Sequence, residues 1–257
     1  MLELLTLPDG ISLTSALLMG FVTGFTSFIS GVLGIGGGTI LLGFLAVLLP
    51  PVALVPIHAV LQLGSNSFRA LLLARHVNYY ILMPFAVGSM LGSVLSGAVL
   101  IQLPMWMMQM GIALFIVWSV FGSVPTFGRK HIVLAGGFSG FLTMLFGATG
   151  PFVSAIVKSL GLSRLEHIGT NSSMMVLQHT AKIAVFSVIG FSFGPYAALL
   201  VGLLVCGMIG TAVGRAVLLR IDETMFIKIL NIVLIVLAGR LLWTATKTLL
   251  QESNFFL

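Results

Sequence analysis

Charge is scarce in this chain of 257 residues: only 7% are Asp, Glu, Lys or Arg, against roughly 25% in an ordinary soluble domain. With 58% hydrophobic residues, that composition excludes a solvated globular surface and defines a polytopic membrane protein. Acidic residues are the scarcest. Glu3, Asp9, Glu166, Asp222, Glu223 and Glu252 complete the set, and each falls at a segment end or a terminus. With no carboxylate inside an apolar run, a cation pump with an acidic relay and an intramembrane aspartyl site are both excluded. Cysteine is limited to Cys206, which removes an internal disulfide and a thiolate metal cluster; Cys206 reads as a small packing residue, and no metal or cofactor is expected. The first ten residues hold Glu3 and Asp9 and no cation, so no removable signal peptide is expected. Basic runs are missing too. The net charge of +6 is scattered at segment ends, as positive-inside bias requires, and nucleic acid is not an expected partner.

Glycine, by contrast, is abundant and placed with a pattern. Gly34-Ile35-Gly36-Gly37-Gly38 interrupts an apolar stretch, and 113 positions on it is answered by Gly147-Ala148-Thr149-Gly150-Pro151. The same offset, without a gap, pairs Gly24 with Gly137, Phe28 with Phe141, Ser30 with Thr143, Ser67 with Thr180 and Arg69 with Lys182. Two copies of one unit are therefore expected: residues 1–122, a cytoplasmic linker 123–131, and residues 132–257, within a single membrane domain.

Each copy runs through the same series. A hydrocarbon core of ~30 Å needs about 20 helical residues, and 11–33 supplies them before the glycines intervene. The next run, 39–49, would be only about 17 Å long at ~1.5 Å per residue, and Pro50-Pro51 stops it. Full spans follow at 52–74, 80–100 and 104–122. The second copy gives 132–146, a short run 151–160, then spans 165–190, 195–219 and 225–248. Gly88, Gly92 and Ser96, answered by Cys206, Gly210 and Gly214 five positions out of frame, suit close helix packing.

Lys and Arg favour the cytoplasmic side. Arg75 and His76 follow the long span of the first copy, while the equivalent loop at 190–194 is uncharged; the loop at 101–104 is uncharged, while its counterpart holds Arg215, Arg220 and Lys228. The two copies should therefore have inverted topology. Arg129, Lys130, Lys158 and Arg164 then also lie inside, and both termini are periplasmic. Whether each glycine segment with its short helix is re-entrant or crosses fully stays open; the broken or re-entrant form is favoured. The expected fold is an all-α membrane protein of two inverted repeats, each with a broken or re-entrant glycine-motif helix pair and three full transmembrane helices.

Interrupted helices in inverted repeats suit a secondary transporter, whose half-helix N-termini offer partial positive charge to an anion. Gly36, Gly37 and Gly38 followed by Thr39 form one such start; Thr149 as a cap, Gly150 and Pro151 form the other. The long spans carry the remaining polar groups. His58, Gln62, Ser65, Asn66 and Arg69 lie in the first, and Asn171, Ser172, Ser173, Gln178, His179 and Lys182 in the second. Buried cations with no counter-ion point to a site for an anion, with Arg69 and Lys182 supplying charge or else snorkelling to the interface. Asn66, Asn171, Ser172, Ser173, Gln178 and His179 would orient the anion. Proton coupling, if present, falls to His58 and His179, the histidines at depth. A Ser–His hydrolase built from Ser172 or Ser173 with His179 lacks a Gly-x-Ser-x-Gly elbow, so no enzyme is expected.

The paired glycine motifs, the run Gly169-Thr170-Asn171-Ser172-Ser173 and the two-halved length of the chain resemble the TauE/SafE sulfite exporter family over essentially the whole chain. The resemblance implies transport of a small sulfur-containing anion, such as sulfite, thiosulfate or an organosulfonate, across a bacterial inner membrane. An anion channel is the first alternative, an intramembrane enzyme or assembly factor the second. The partners are then the anion and the lipid bilayer, with a coupling ion (H+ or Na+) and a homodimer left open.

Overall fold

The computed structural model describes residues 7–8, 10–34, 36–100, 105–122, 131–147, 149–217, 232, 235–236, 238–240 and 242–250. Outside them lie Glu3, Asp9 and Glu252, the loop 101–104, most of the linker with Arg129 and Lys130, and 218–231 with Arg220, Asp222, Glu223 and Lys228.

The described chain is helical. The first half comprises α1 (Leu13–Leu33), α2 (Gly37–Leu48), α3 (Pro51–Leu72), α4 (Leu82–Leu100) and α5 (Met105–Phe121); the second begins with α6 (Ile132–Phe146), α7 (Gly150–Lys158), α8 (Arg164–Val188) and α9 (Ala197–Val217). The described part of the last expected span, among residues 232–250, is helical as well.

Local chemistry sets the ends. Ser12 caps α1 by accepting from the Ser15 amide at 3.1 Å, and α1 ends at Gly34, whose φ of 78° is the left-handed turn that glycine adopts without strain. Gly147 ends α6 in the same way, with φ of 84°. Each of these glycines donates its amide four residues back, Gly34 to Ser30 at 2.9 Å and Gly147 to Thr143 at 3.0 Å. The expected short helices follow both breaks, 12 residues long in α2 and 9 in α7. Pro51 then starts α3 at the position where the missing N–H is harmless.

Among the described residues, three helices are long and apolar enough to cross a membrane: Leu13–Leu33, Tyr79–Val99 and Gly194–Val217. The spans expected at 52–74 and 165–190 are present as α3 and α8, 22 and 25 residues long, but their polar residues keep them out of that apolar group. Packing gives the reason. α3 and α8 lie against each other, with α9 along α3 and α4 along α8. His58, Gln62, Asn66 and Arg69 of α3 and Asn171, Gln178, His179 and Lys182 of α8 turn inward, while Leu17 and Phe21 of α1, Leu91 and Leu95 of α4, and Val201 and Ile209 of α9 face outward. That is the arrangement expected where the solvent is hydrocarbon.

The halves are interleaved: α1 packs along α9, and α4 along α6. Glycine permits both contacts. A Cβ on Gly92 would overlap the Gly137 carbonyl, and one on Gly210 would overlap the Gly24 carbonyl. Gly24 and Gly137 are frame partners, and Gly92 and Gly210 are the small-residue pair read from the sequence, so the packing role expected for them is what the structure contains.

Candidate functional site

The two helix breaks are held by the two buried cations. Arg69 Nη1 donates to the Gly34 carbonyl at 3.2 Å, and Lys182 Nζ to the Gly147 carbonyl at 2.7 Å. Arg69 is 4% exposed and Lys182 0%. Neither reaches outward, so the snorkelling alternative does not describe this structure. The Gly34 carbonyl also accepts from Asn171 Nδ2 of the other half at 3.3 Å, which ties the first break to α8.

Between the breaks and the long helices lies a cavity of about 30 Å³, room for roughly two waters or one compact anion. The first half contributes Ser30 of α1, Gly34 and Gly36 of the break, Gly38 and Thr39 of α2, and His58, Gln62, Asn66 and Arg69 of α3. The second contributes Gly150 of α7 with Asn171, Met175 and His179 of α8. The α3 residues lie at spacings of three and four, one face of a helix.

His58 Nε2 stands 2.8 Å from the Gly38 carbonyl. A carbonyl only accepts, so Nε2 carries the hydrogen and a neutral His58 keeps a lone pair on Nδ1. His179 meets it edge to face, ring centroids 6.1 Å apart. Among the described residues, eleven buried side-chain polar atoms have no hydrogen-bond partner, and five of them, His58 Nδ1, both His179 ring nitrogens, Arg69 Nε and Asn171 Oδ1, belong to residues that line the cavity. Buried polar groups are rarely left so.

Of the residues singled out from the sequence, Gly36, Gly38, Thr39, His58, Asn66, Arg69, Gly150, Asn171 and His179 meet at this cavity. Others have different employment. Gly37 lies where a Cβ would overlap the Thr26 carbonyl and the Ser30 hydroxyl, so close helix contact explains its glycine. Thr149 occupies the N-cap of α7 but makes no side-chain cap bond, because its hydroxyl donates to Gln178 Oε1 at 2.8 Å. Gln178 in turn donates to the Ser139 hydroxyl at 2.6 Å. Ser173 bonds the Gly169 carbonyl at 3.0 Å, and Ser172 is buried away from the cavity wall. Lys182 stands behind the wall, on Gly147.

Four lining residues, Ser30, Gly34, Gln62 and Met175, were not among the expected site residues. Gln62 and Met175 are themselves frame partners, 113 positions apart, and lie one turn after His58 and Asn171, so the repeat carried the signal that would have found them.

The family described as sulfite exporter TauE/SafE matches residues 16–241. No curated protein and no solved structure matches the chain. With the match running from within α1 to the last helical segment, and with both glycine breaks at the centre of the structure, the chain belongs to the sulfite exporter TauE/SafE family, a family of membrane transporters.

Proposed function

We propose that the chain is a secondary transporter that moves a small sulfur-containing anion, sulfite, thiosulfate or an organosulfonate, across the bacterial inner membrane by alternating access around the central cavity. The observation that carries this reading is the cavity itself: helix breaks and long helices from both halves wall it, Arg69 lines it, and no carboxylate among the described residues does. An anion supplies the missing negative charge and partners for the free donors of Arg69 Nε and His179. The α2 N-terminus opens on the same space through Gly36 and Gly38, adding its partial positive charge. Lys182 adds charge from behind and fixes the second break. Thr149, Ser172, Ser173 and Gln178 support the wall and do not touch the anion in this conformation.

The 113-residue frame, the matching Gly34 and Gly147 turns and the interleaved packing of α1 on α9 and α4 on α6 support two repeats related by a pseudo-twofold. The loop charges support their inversion and place both termini in the periplasm. Rocking of one repeat against the other would expose the cavity to each side in turn. His58, fixed in tautomer by Gly38, and His179 are the groups through which H+ would be coupled.

Counterflow tests the reading. Purified protein in liposomes preloaded with unlabelled sulfite should accumulate labelled sulfite transiently, because an alternating site exchanges across the membrane. A channel would equilibrate the label without overshoot, and an enzyme would alter sulfite chemically without needing a sealed vesicle; either result overturns the transporter.

A further inference from the structure

One side chain in the cavity wall has no hydrogen-bonding partner to offer an oxyanion. Met175 lines the cavity and is 5% exposed; every other lining residue among the described residues is a glycine or carries a polar side chain. Its thioether donates nothing and accepts only weakly, yet it is polarizable. The contrast is sharpened by Gln62, which occupies the same position in the other repeat and lines the same cavity with an amide. The pocket therefore has donors on several sides and one soft face.

We infer that Met175 is the specificity-determining residue of the transport site, selecting anions with an XO3 head whose fourth direction holds a lone pair, a sulfur or a carbon instead of an oxygen. The inference rests on the transport reading given above. Sulfate and phosphate put an oxygen in all four tetrahedral directions, so one of them must press on Met175 with no donor. A buried charged oxygen left unpaired weakens binding by roughly ten- to a hundredfold. Sulfite and thiosulfate turn a lone pair or a soft sulfur atom to the thioether and keep three oxygens for the donors. The small volume adds a second restriction, since a long substituent has no room beside Met175.

The test uses the full-length protein in two assays. In proteoliposome counterflow of labelled sulfite, unlabelled thiosulfate should compete with the wild type and a hundredfold excess of sulfate should not. Met175→Gln, which copies Gln62 into the second repeat, should make sulfate at least tenfold more effective as a competitor, while Met175→Leu should keep the wild-type pattern. Sulfate competing equally in wild type and Met175→Gln overturns the inference, as does sulfate entering Met175→Leu, which would make size the selector. Thermal melting of the wild type alone gives an arm that needs no variant to fold: sulfite and thiosulfate should raise the melting temperature and sulfate should not, and an equal rise with sulfate removes the selectivity claimed for Met175. A wild type that binds with this preference but shows no counterflow would sink the transporter and leave the binding selectivity standing.

Discussion

Arg69 and Lys182, 113 positions apart, make the same hydrogen bond, each to the carbonyl of the left-handed glycine that lies 35 residues before it, Gly34 at 3.2 Å and Gly147 at 2.7 Å. A helix that stops inside the molecule leaves carbonyls without partners, and the cation on the long helix of each half answers one of them. Charge and backbone break are thus parts of one device, present twice.

That device is costly without an anion. An ammonium removed from water loses several kcal/mol, whereas a hydrogen bond to a charged donor returns about 1.5–3 kcal/mol. Desolvation wins by these magnitudes. Lys182→Met should raise the melting temperature of the anion-free protein and abolish the further rise produced by sulfite, both read by thermal melting in detergent. A melting temperature several degrees below wild type would show that the Gly147 bond outweighs desolvation, and an undiminished sulfite shift would remove Lys182 from the site's electrostatics.

His58 and Asn171 are frame partners that differ in chemistry, and the difference is testable. His58→Asn gives the first repeat the amide of the second and no titratable ring. Sulfite counterflow should persist at a rate within about tenfold, one rate decade being 1.36 kcal/mol in barrier. Proton movement with the anion, followed by a pH-sensitive dye inside the vesicles, should be lost. Continued proton movement in this variant would assign coupling to another group.

Helix contact through glycine makes a paired prediction. Gly92→Ala and Gly210→Ala each force a methyl against a backbone carbonyl, and overpacking of this kind costs typically 1–3 kcal/mol. Both variants should lose yield of monodisperse protein and melt several degrees lower, to a similar extent in the two repeats. Gly202→Ala is the control, because a Cβ there meets nothing within 4 Å. A harmless Gly210→Ala would contradict the packing of α1 on α9.

Inversion of the repeats is open to direct labelling. Cys206 is the lone cysteine, so a Cys206→Ser background gives single-site reporters. His76→Cys and Ser192→Cys, both at exposed positions in equivalent loops, should react with a membrane-impermeant maleimide from opposite sides, Ser192→Cys from the periplasm. Labelling of both from one side would make the repeats parallel and end the alternating-access scheme.

Much of the site was legible because glycine, proline and charge act locally. Gly34 and Gly147 declare breaks wherever they sit between apolar runs, Pro50-Pro51 ends the short helix by removing a donor, and a cation in an apolar stretch demands a partner. The offset that pairs Ser30 with Thr143 and Arg69 with Lys182 in sequence pairs their hydrogen bonds as well: the Ser30 and Thr143 carbonyls each accept from a turn glycine, and Arg69 and Lys182 each donate to that glycine's carbonyl. Where local reasoning fell short, the cause was competition between neighbours. Thr149 looked like a helix cap, but Gln178 stands within reach of its hydroxyl and takes its hydrogen. Gly37 looked like part of the anion seat, but α1 passes against it. Met175 carries no polar group that would mark a site locally; it packs among core residues on one side and lines the cavity on the other.

The sequence by itself determined that this is a membrane protein with two glycine breaks 113 residues apart and a cation in each long apolar stretch, because composition, residue spacing and backbone chemistry need no knowledge of neighbours. Only the tertiary structure decided which residues meet. Side chains leave a helix in all directions, and it is the packing of α3 on α8, with the breaks pressed between them, that turned His58, Arg69, Asn171, Met175 and His179 toward one shared space and left Lys182 and Gln178 behind its wall.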